Sequence, residues 1–167
     1  MSSISIQNRH GVAMLIDEND LGLLTRHKNG HWCFAVRNGG YAQIKHKKSI
    51  GGDGQKVLFH RLIMEAPSDL QVDHINRNKT DNRRENLRLC TPSQNSRNTP
   101  ARGFSRFKGA VKHRGKWQAT IWANDVQTYL GIFNTESEAA LAYDAAARLL
   151  PICEFRVFNF PDEATND

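Results

Sequence analysis

The chain has 167 residues, with 23 Lys and Arg against 17 Asp and Glu and a net charge of +6 at pH 7. This length suits one ordinary domain or two small ones, and small domains bury a lower fraction of their surface. No apolar run approaches the ~18–20 residues that cross a bilayer, and the N-terminus lacks the basic start and apolar stretch of a signal peptide. The sequence therefore reads as intracellular and cytoplasmic, without a membrane partner. Cys33, Cys90 and Cys153 are odd in number and far apart, so neither a disulfide framework nor a Cys-rich zinc site is indicated.

The charge is uneven. Residues 1–100 hold 15 basic and 9 acidic side chains, residues 101–167 hold 8 of each, and the segment 102–116 has six basic and no acidic ones. A local basic stretch beside aromatic residues is the footprint of a nucleic-acid surface, although a solvated charged face has the same composition.

In chain order, Val12–Ile16 reads as a strand and Asp17–His27 as a short helix with Leu21 and Leu24 inward. Apolar or alternating stretches follow at Trp32–Arg37, Tyr41–Lys45 and Lys56–Phe59. Turns are expected at Gly39-Gly40 and at Gly51-Gly52-Asp53-Gly54. His60–Ala66 reads as a helix ended by Pro67. Leu70–Ile75 and Leu87–Cys90 read as strands around the polar loop Asn76–Glu85. Thr91-Pro92-Ser93-Gln94 opens the next helix, with Thr91 as cap and Gln94 closing a capping box. Residues 99–106 read as a linker. Behind it come strands at Phe107–Val111, Lys116–Trp122 and Val126–Phe133, with turns at Arg114-Gly115 and Asn124-Asp125. An amphipathic helix spans Asn134–Leu150, with a capping box at Thr135 and Glu138. The fold class is α+β: a strand meander leading into a strand–loop–strand–helix unit, then a three-stranded antiparallel sheet on one helix.

The middle unit concentrates polar residues at fixed spacing. Asp73 and His74 end a strand, Asn86 precedes the next, and Asn95 lies in the helix. Asp73 and Asn95 offer the oxygen ligands that suit a hard divalent cation. His74, on the opposite face of the strand, can act as general base toward water, and Asn86 can brace the loop and orient His74. Taken alone, the same residues also fit ordinary turns.

The run Leu58–Ile63, Val72-Asp73-His74-Ile75-Asn76, Asn82–Arg88 and Gln94–Asn98 resembles the HNH endonucleases of phages and group I introns, in order over residues 58–98. The resemblance implies a ββα-metal nuclease core, with His74 as general base, Asp73 and Asn95 as metal ligands and Asn86 as the structural asparagine. It implies one Mg²⁺ or Mn²⁺ per site. Asparagine at the last position, where many members have histidine, argues against a histidine-based zinc site; Asn98, one turn on, is the alternative register. The surrounding His60, Arg61, Arg77, Lys79, Arg83, Arg84 and Arg88 are expected to grip phosphates.

In the tail, Gln118, Thr120 and Trp122 alternate with Trp117, Ala119 and Ile121, so one set faces the helix and the other is displayed with Lys116, Gln127 and Tyr129. Phe107-Lys108-Gly109, Gly115-Lys116-Trp117, Tyr129–Phe133, Glu138-Ala139-Ala140, Ala142–Ala146 and Asn159-Phe160-Pro161 resemble the APETALA2/ethylene-response-factor DNA-binding domain over residues 105–161. On the sheet, Val111, His113, Thr120, Trp122, Gln127 and Tyr129 stand where plant members carry Arg and Glu, so the plant sequence preference does not carry over. The expected DNA contacts of the tail are Lys108, Lys112, His113, Arg114, Lys116, Gln118, Thr120, Trp122, Gln127 and Tyr129.

The resulting expectation is an HNH domain over residues 1–100 and a DNA-reading domain over 105–161. Together they imply a phage-type homing endonuclease acting on double-stranded DNA as a monomer or homodimer. The alternative is a non-catalytic, sequence-specific DNA-binding regulator.

Overall fold

The computed structural model describes residues 2–25, 32–37, 40–45, 54–101, 103–123, 126–151 and 155–161. The chain forms two compact units, Met1–Asn95 and Ser96–Asp167. The architecture is α+β, with several small antiparallel sheets and few helices. Among the described residues no helix is long and apolar enough to cross a membrane. The expected turns at Gly51-Gly52-Asp53 and Asn124-Asp125, the end of the 17–27 helix and Cys153 lie outside the described residues.

In the first unit, β1 (Ser3–Gln7) and β2 (Ala13–Asp17) form an antiparallel hairpin. The strand β1 was not anticipated, although its Ile4 and Ile6 alternate with polar residues. The helix expected from Asp17 is instead a 3₁₀ segment, Glu18–Leu23, ending on an extended Leu24. Gly22 falls within this six-residue segment, and glycine weakens a helix interior.

The strands β3 (Ala35–Arg37), β4 (Tyr41–Lys45) and β5 (Lys56–Leu58) form a second sheet in the order β3-β4-β5. Helix α1 (Phe59–Ile63) follows β5 directly. The strands β6 (Gln71–His74) and β7 (Leu87–Cys90) pair antiparallel, with Asp73 opposite Arg88, and α2 (Pro92–Arg97) comes next. The expected capping box at α2 is present: Gln94 N donates to Thr91 Oγ1 and Thr91 N to Gln94 Oε1. One core binds these pieces together, with Met14, Ile16, Ala42, Phe59, Ile63, Val72 and Leu87 all buried.

In the second unit, β8 (Ala110–His113), β9 (Lys116–Ala123) and β10 (Val126–Phe133) form an antiparallel sheet in the order β10-β9-β8. Helix α3 (Glu136–Arg148) packs on one face through Ala139, Tyr143 and Ala147, against Ala110, Ala119 and Ile121. Small side chains on both partners let the helix lie close to the sheet. The capping box at Thr135 and Glu138 starts α3 as the sequence indicates.

The first strand of this sheet begins three residues later than Phe107. Gly109 takes φ +80°, a left-handed conformation that ends regular pairing before Ala110, and Phe107 packs into the core instead. A Cβ at Gly109 would lie 2.0 Å from Tyr143 Cδ2, so this glycine also makes room for the helix. Gly109→Ala therefore combines a left-handed alanine with overpacking. It should destabilise the unit by about 3 kcal/mol, read as a lowered denaturation midpoint in chemical unfolding.

Candidate active site

The site begins with the alternation of β6. Val72 and His74 share the face turned to the core, whereas Gln71 and Asp73 share the other. His74 thus meets α1 and β4. Its ring centroid lies 5.0 Å from that of His60, edge to face, and 5.9 Å from that of Tyr41. Tyr41 and His60 are themselves 5.2 Å apart, and Lys79 Nζ sits 4.6 Å above the Tyr41 ring.

Both histidines are buried, at 4% exposure each. Burial, reinforced by the charges of His74 and Arg61, pushes the His60 pKa down to about 3. Burial also holds His74 below the usual histidine range, against the opposing pull of Asn82, Asp73 and Asp81. Each ring is therefore neutral at pH 7, and a neutral ring is the form that can accept a proton.

Asn82, which residue type and spacing alone do not single out, approaches His74 most directly, with Oδ1 3.3 Å from Nε2. A ring that donates its Nε2–H to this oxygen keeps Nδ1 as the basic nitrogen. Two buried atoms beside it, His60 Nδ1 and Asn82 Nδ2, have no hydrogen-bond partner among the described residues. An unpaired buried polar atom costs about 1–3 kcal/mol, and a phosphate or water oxygen is the kind of group that would satisfy such atoms. Asn82 belongs to the run Asn82–Arg88 that carries the family resemblance. Tyr41 has no local signal, because it reaches the site only through the packing of β4.

Asn86 braces the loop between β6 and β7. Its Oδ1 accepts from Asn76 N at 2.9 Å, and its Nδ2 donates to Asp81 O at 2.8 Å. The same loop is tied to β2, where Leu15 N donates to Thr80 O and Asn82 N donates to Leu15 O.

On the other face of β6, Arg88 donates from Nε and Nη2 to Asp73 Oδ2, at 2.9 and 2.7 Å. Asn95 of α2 donates its Nδ2 to Gln71 Oε1 at 2.7 Å, so Asn95 engages the face of β6 that carries Asp73. With the amide nitrogen given to Gln71, Oδ1 is the Asn95 atom suited to a cation. A carboxylate and an amide oxygen on one face fit a hard divalent ion that takes its remaining ligands from water and phosphate. Among the described residues no group of three or more His, Cys, Asp or Glu side chains could hold a metal.

The basic residues around the motif divide by partner. Arg61 donates to the carbonyls of Ala66, Pro67 and Leu70 and closes the turn after α1. Arg83 pairs with Asp81 and Glu85, Arg84 with Asp20, and Arg88 with Asp73. Arg77 is exposed, with φ 63° in the turn after β6. In the second unit, Lys108 Nζ donates to Arg97 O and Thr99 O. Lys112, His113, Arg114 and Lys116 are exposed along the β8–β9 hairpin. Cross-strand register puts Gln118 opposite Val111 and Ile132, Thr120 opposite Tyr129, and Trp122 opposite Gln127. These residues share the sheet face away from α3, and Trp122 and Tyr129 are both exposed there, but Thr120, expected to be displayed for DNA, is buried at a central-strand position opposite Tyr129.

Residues 57–97 match the family model described as HNH endonuclease. An uncharacterized HNH endonuclease of Acanthamoeba polyphaga mimivirus is 37% identical over 108 residues, which are 60% of this chain and 57% of that protein. The AP2-like ethylene-responsive transcription factor PLT2 of Arabidopsis thaliana is 49% identical over 51 residues, 28% of this chain and 9% of that protein. APETALA2-like protein 2 of Oryza sativa subsp. indica is 48% identical over 50 residues, 28% of this chain and 12% of that protein. The chain thus spans little more than half of the viral relative and about a tenth of each plant protein. The chain is similar to HNH endonucleases in the segment that carries His60, Asp73, His74, Asn86 and Asn95, and part of it is similar to AP2-like transcription factors.

Proposed function

We propose that the protein is a metal-dependent, site-directed DNA endonuclease of the HNH homing type, cutting double-stranded DNA to 5′-phosphate and 3′-hydroxyl ends. One observation carries this reading. On β6, Asp73 stands on the face that Asn95 engages, and its neighbour His74 stands on the opposite face beside His60 and Asn82. A cation and a base held on either side of a strand end can flank one phosphodiester group.

In this reading the neutral His74 ring takes a proton from water as the water oxygen attacks phosphorus, the P–O3′ bond breaks, and the 3′ oxygen leaves to be protonated. Asn82 holds the ring orientation, and Asn86 holds the loop that carries Asn82. Asp73 and Asn95 would hold one Mg²⁺ or Mn²⁺, which would stabilise charge on the phosphate and the leaving oxygen. The outer sheet face of the second unit, with Gln118, Trp122, Gln127 and Tyr129, reads base edges in the major groove. Lys112, Arg114 and Lys116 hold backbone phosphates and supply affinity without sequence information.

A plasmid-nicking assay tests the metal assignment. Activity should be lost in excess chelator and return with Mg²⁺ or Mn²⁺; full cleavage in chelator would remove Asp73 and Asn95 from the mechanism. His74→Ala should lower kcat by roughly 10²–10⁴-fold while DNA affinity is kept, because a general base acts in the transition state. The measurement is single-turnover cleavage at saturating DNA beside a binding titration. A rate near that of the parent would put the base elsewhere and favour the regulator reading.

A further inference from the structure

The outer face of the β3-β4-β5 sheet carries a row of side chains that the cleavage chemistry leaves unused. In β4, Ala42 and Ile44 are buried in the core, and Tyr41, Gln43 and Lys45 alternate with them on the opposite face. One end of this row lies in the candidate active site, where Tyr41 contacts His60 and His74. The other end is Lys45, about 13 Å along the strand at ~3.3 Å per residue.

Lys45 is paired directly across the sheet with Lys56 of β5. Like charges directly opposite on an antiparallel pair destabilise it; β5 is an edge strand, where lysines also hinder edge-to-edge pairing, and a bound anion would relieve the repulsion. Both lysines border a cavity of about 580 Å³, together with Arg9 and His10 of the β1–β2 turn, Trp32 and Gln43. Among the described residues that line it there is no Asp or Glu. Arg9 is oriented by donating its Nε to His10 Nε2 at 3.0 Å. A groove with three cationic side chains, no carboxylate among its described lining residues and an aromatic wall complements a polyanion. Its continuity with the His74 cluster through Gln43 and Tyr41 points to the same polyanion that reaches the active site.

We propose that this groove is a second DNA-binding site, in which Arg9, Lys45 and Lys56 hold backbone phosphates of the substrate. At 3.4 Å of helix axis per base pair, 13 Å corresponds to about four base-pair steps from the bond that is cut. The inference rests on the endonuclease reading of the His74 centre. It assigns the first unit its own grip on the duplex, independent of the AP2-like segment.

The test uses the full chain with Lys45→Gln and Lys56→Gln combined, and separately with Arg9→Gln. Binding to a duplex oligonucleotide is followed by fluorescence anisotropy without divalent cation, across a range of salt concentrations. Each lost phosphate contact removes about 0.9 from the slope of log K against log salt. The double variant should therefore lose about 1.8 and Arg9→Gln about 0.9. In cleavage with Mg²⁺ or Mn²⁺, KM should rise while kcat is kept. The Tm of the double variant should equal or exceed that of the parent, since a repulsive pair has been removed. Unchanged slope and KM in both variants would overturn the groove and leave the endonuclease reading standing. Displacement of the duplex by polyglutamate at equal charge concentration would mark a generic polyanion patch and overturn it as well. A parent protein that neither binds nor nicks DNA with either ion would overturn the endonuclease reading and the groove together.

Discussion

The first unit depends on one buried carboxylate. Asp81, 1% exposed, accepts from Asn76 Nδ2 and from Arg83 Nε and Nη2, all at 2.8 Å, and its backbone oxygen accepts from Asn86 Nδ2. The hydrogen bonds from Arg83 hold its pKa below the usual carboxylate range. A polar loop pays for its conformation in backbone entropy, and Asp81 supplies the fixed point that offsets that cost. Everything next to it follows. Asn82 is presented to His74, Asn86 closes the loop, and β2 is bridged at Leu15. The candidate base is thus oriented by a residue whose own position is set one peptide away.

The second unit solves a related problem with the same chemistry. Asp144, fully buried in α3, accepts from the backbone N–H groups of Asn159 and Phe160, at 2.9 and 2.8 Å. Asn159 then donates to Lys108 O and accepts from Lys108 N, pinning the strand entrance. The motifs around Asp144, Asn159 and Lys108-Gly109 form one hydrogen-bonded closure that brings residues 159–160 back over α3 and onto the residue that precedes Gly109. In each unit an Asp–Asn pair fixes a return of the chain that the small core alone would leave loosely specified, because small domains bury less of their surface.

What was legible in the sequence was whatever is locally determined. The pairings β6–β7 and β9–β10, the capped helices and the outward face of the tail sheet follow from alternation, capping residues and turns. The boundaries that failed did so where a tertiary constraint outweighs propensity. Gly109 delays β8 because of Tyr143, and the segment after Asp17 stays 3₁₀, with Asp17 and Asp20 turned to Arg84 N and the Arg84 guanidinium. In the site, Asp73, His74, Asn86 and Asn95 stand out by type and spacing. Tyr41 and Asn82 do not, because their proximity to His74 exists only after β4 and the loop have docked.

The same distinction governs charge. A count of basic residues near the motif treats Arg61, Arg83, Arg84 and Arg88 as equivalent to exposed lysines, yet each has internal carbonyl or carboxylate partners. Breaking such partnerships to meet a phosphate would strand buried acceptors, and a stranded buried acceptor costs about 1–3 kcal/mol. These arginines therefore serve the shape of the site first. The cations whose placement carries a cost in the folded state stand elsewhere, at Lys45 and Lys56, where the sheet sets two positive charges opposite each other. The contrast between internally partnered arginines and cross-strand lysines separates residues that build the first unit from those proposed above to hold DNA phosphates.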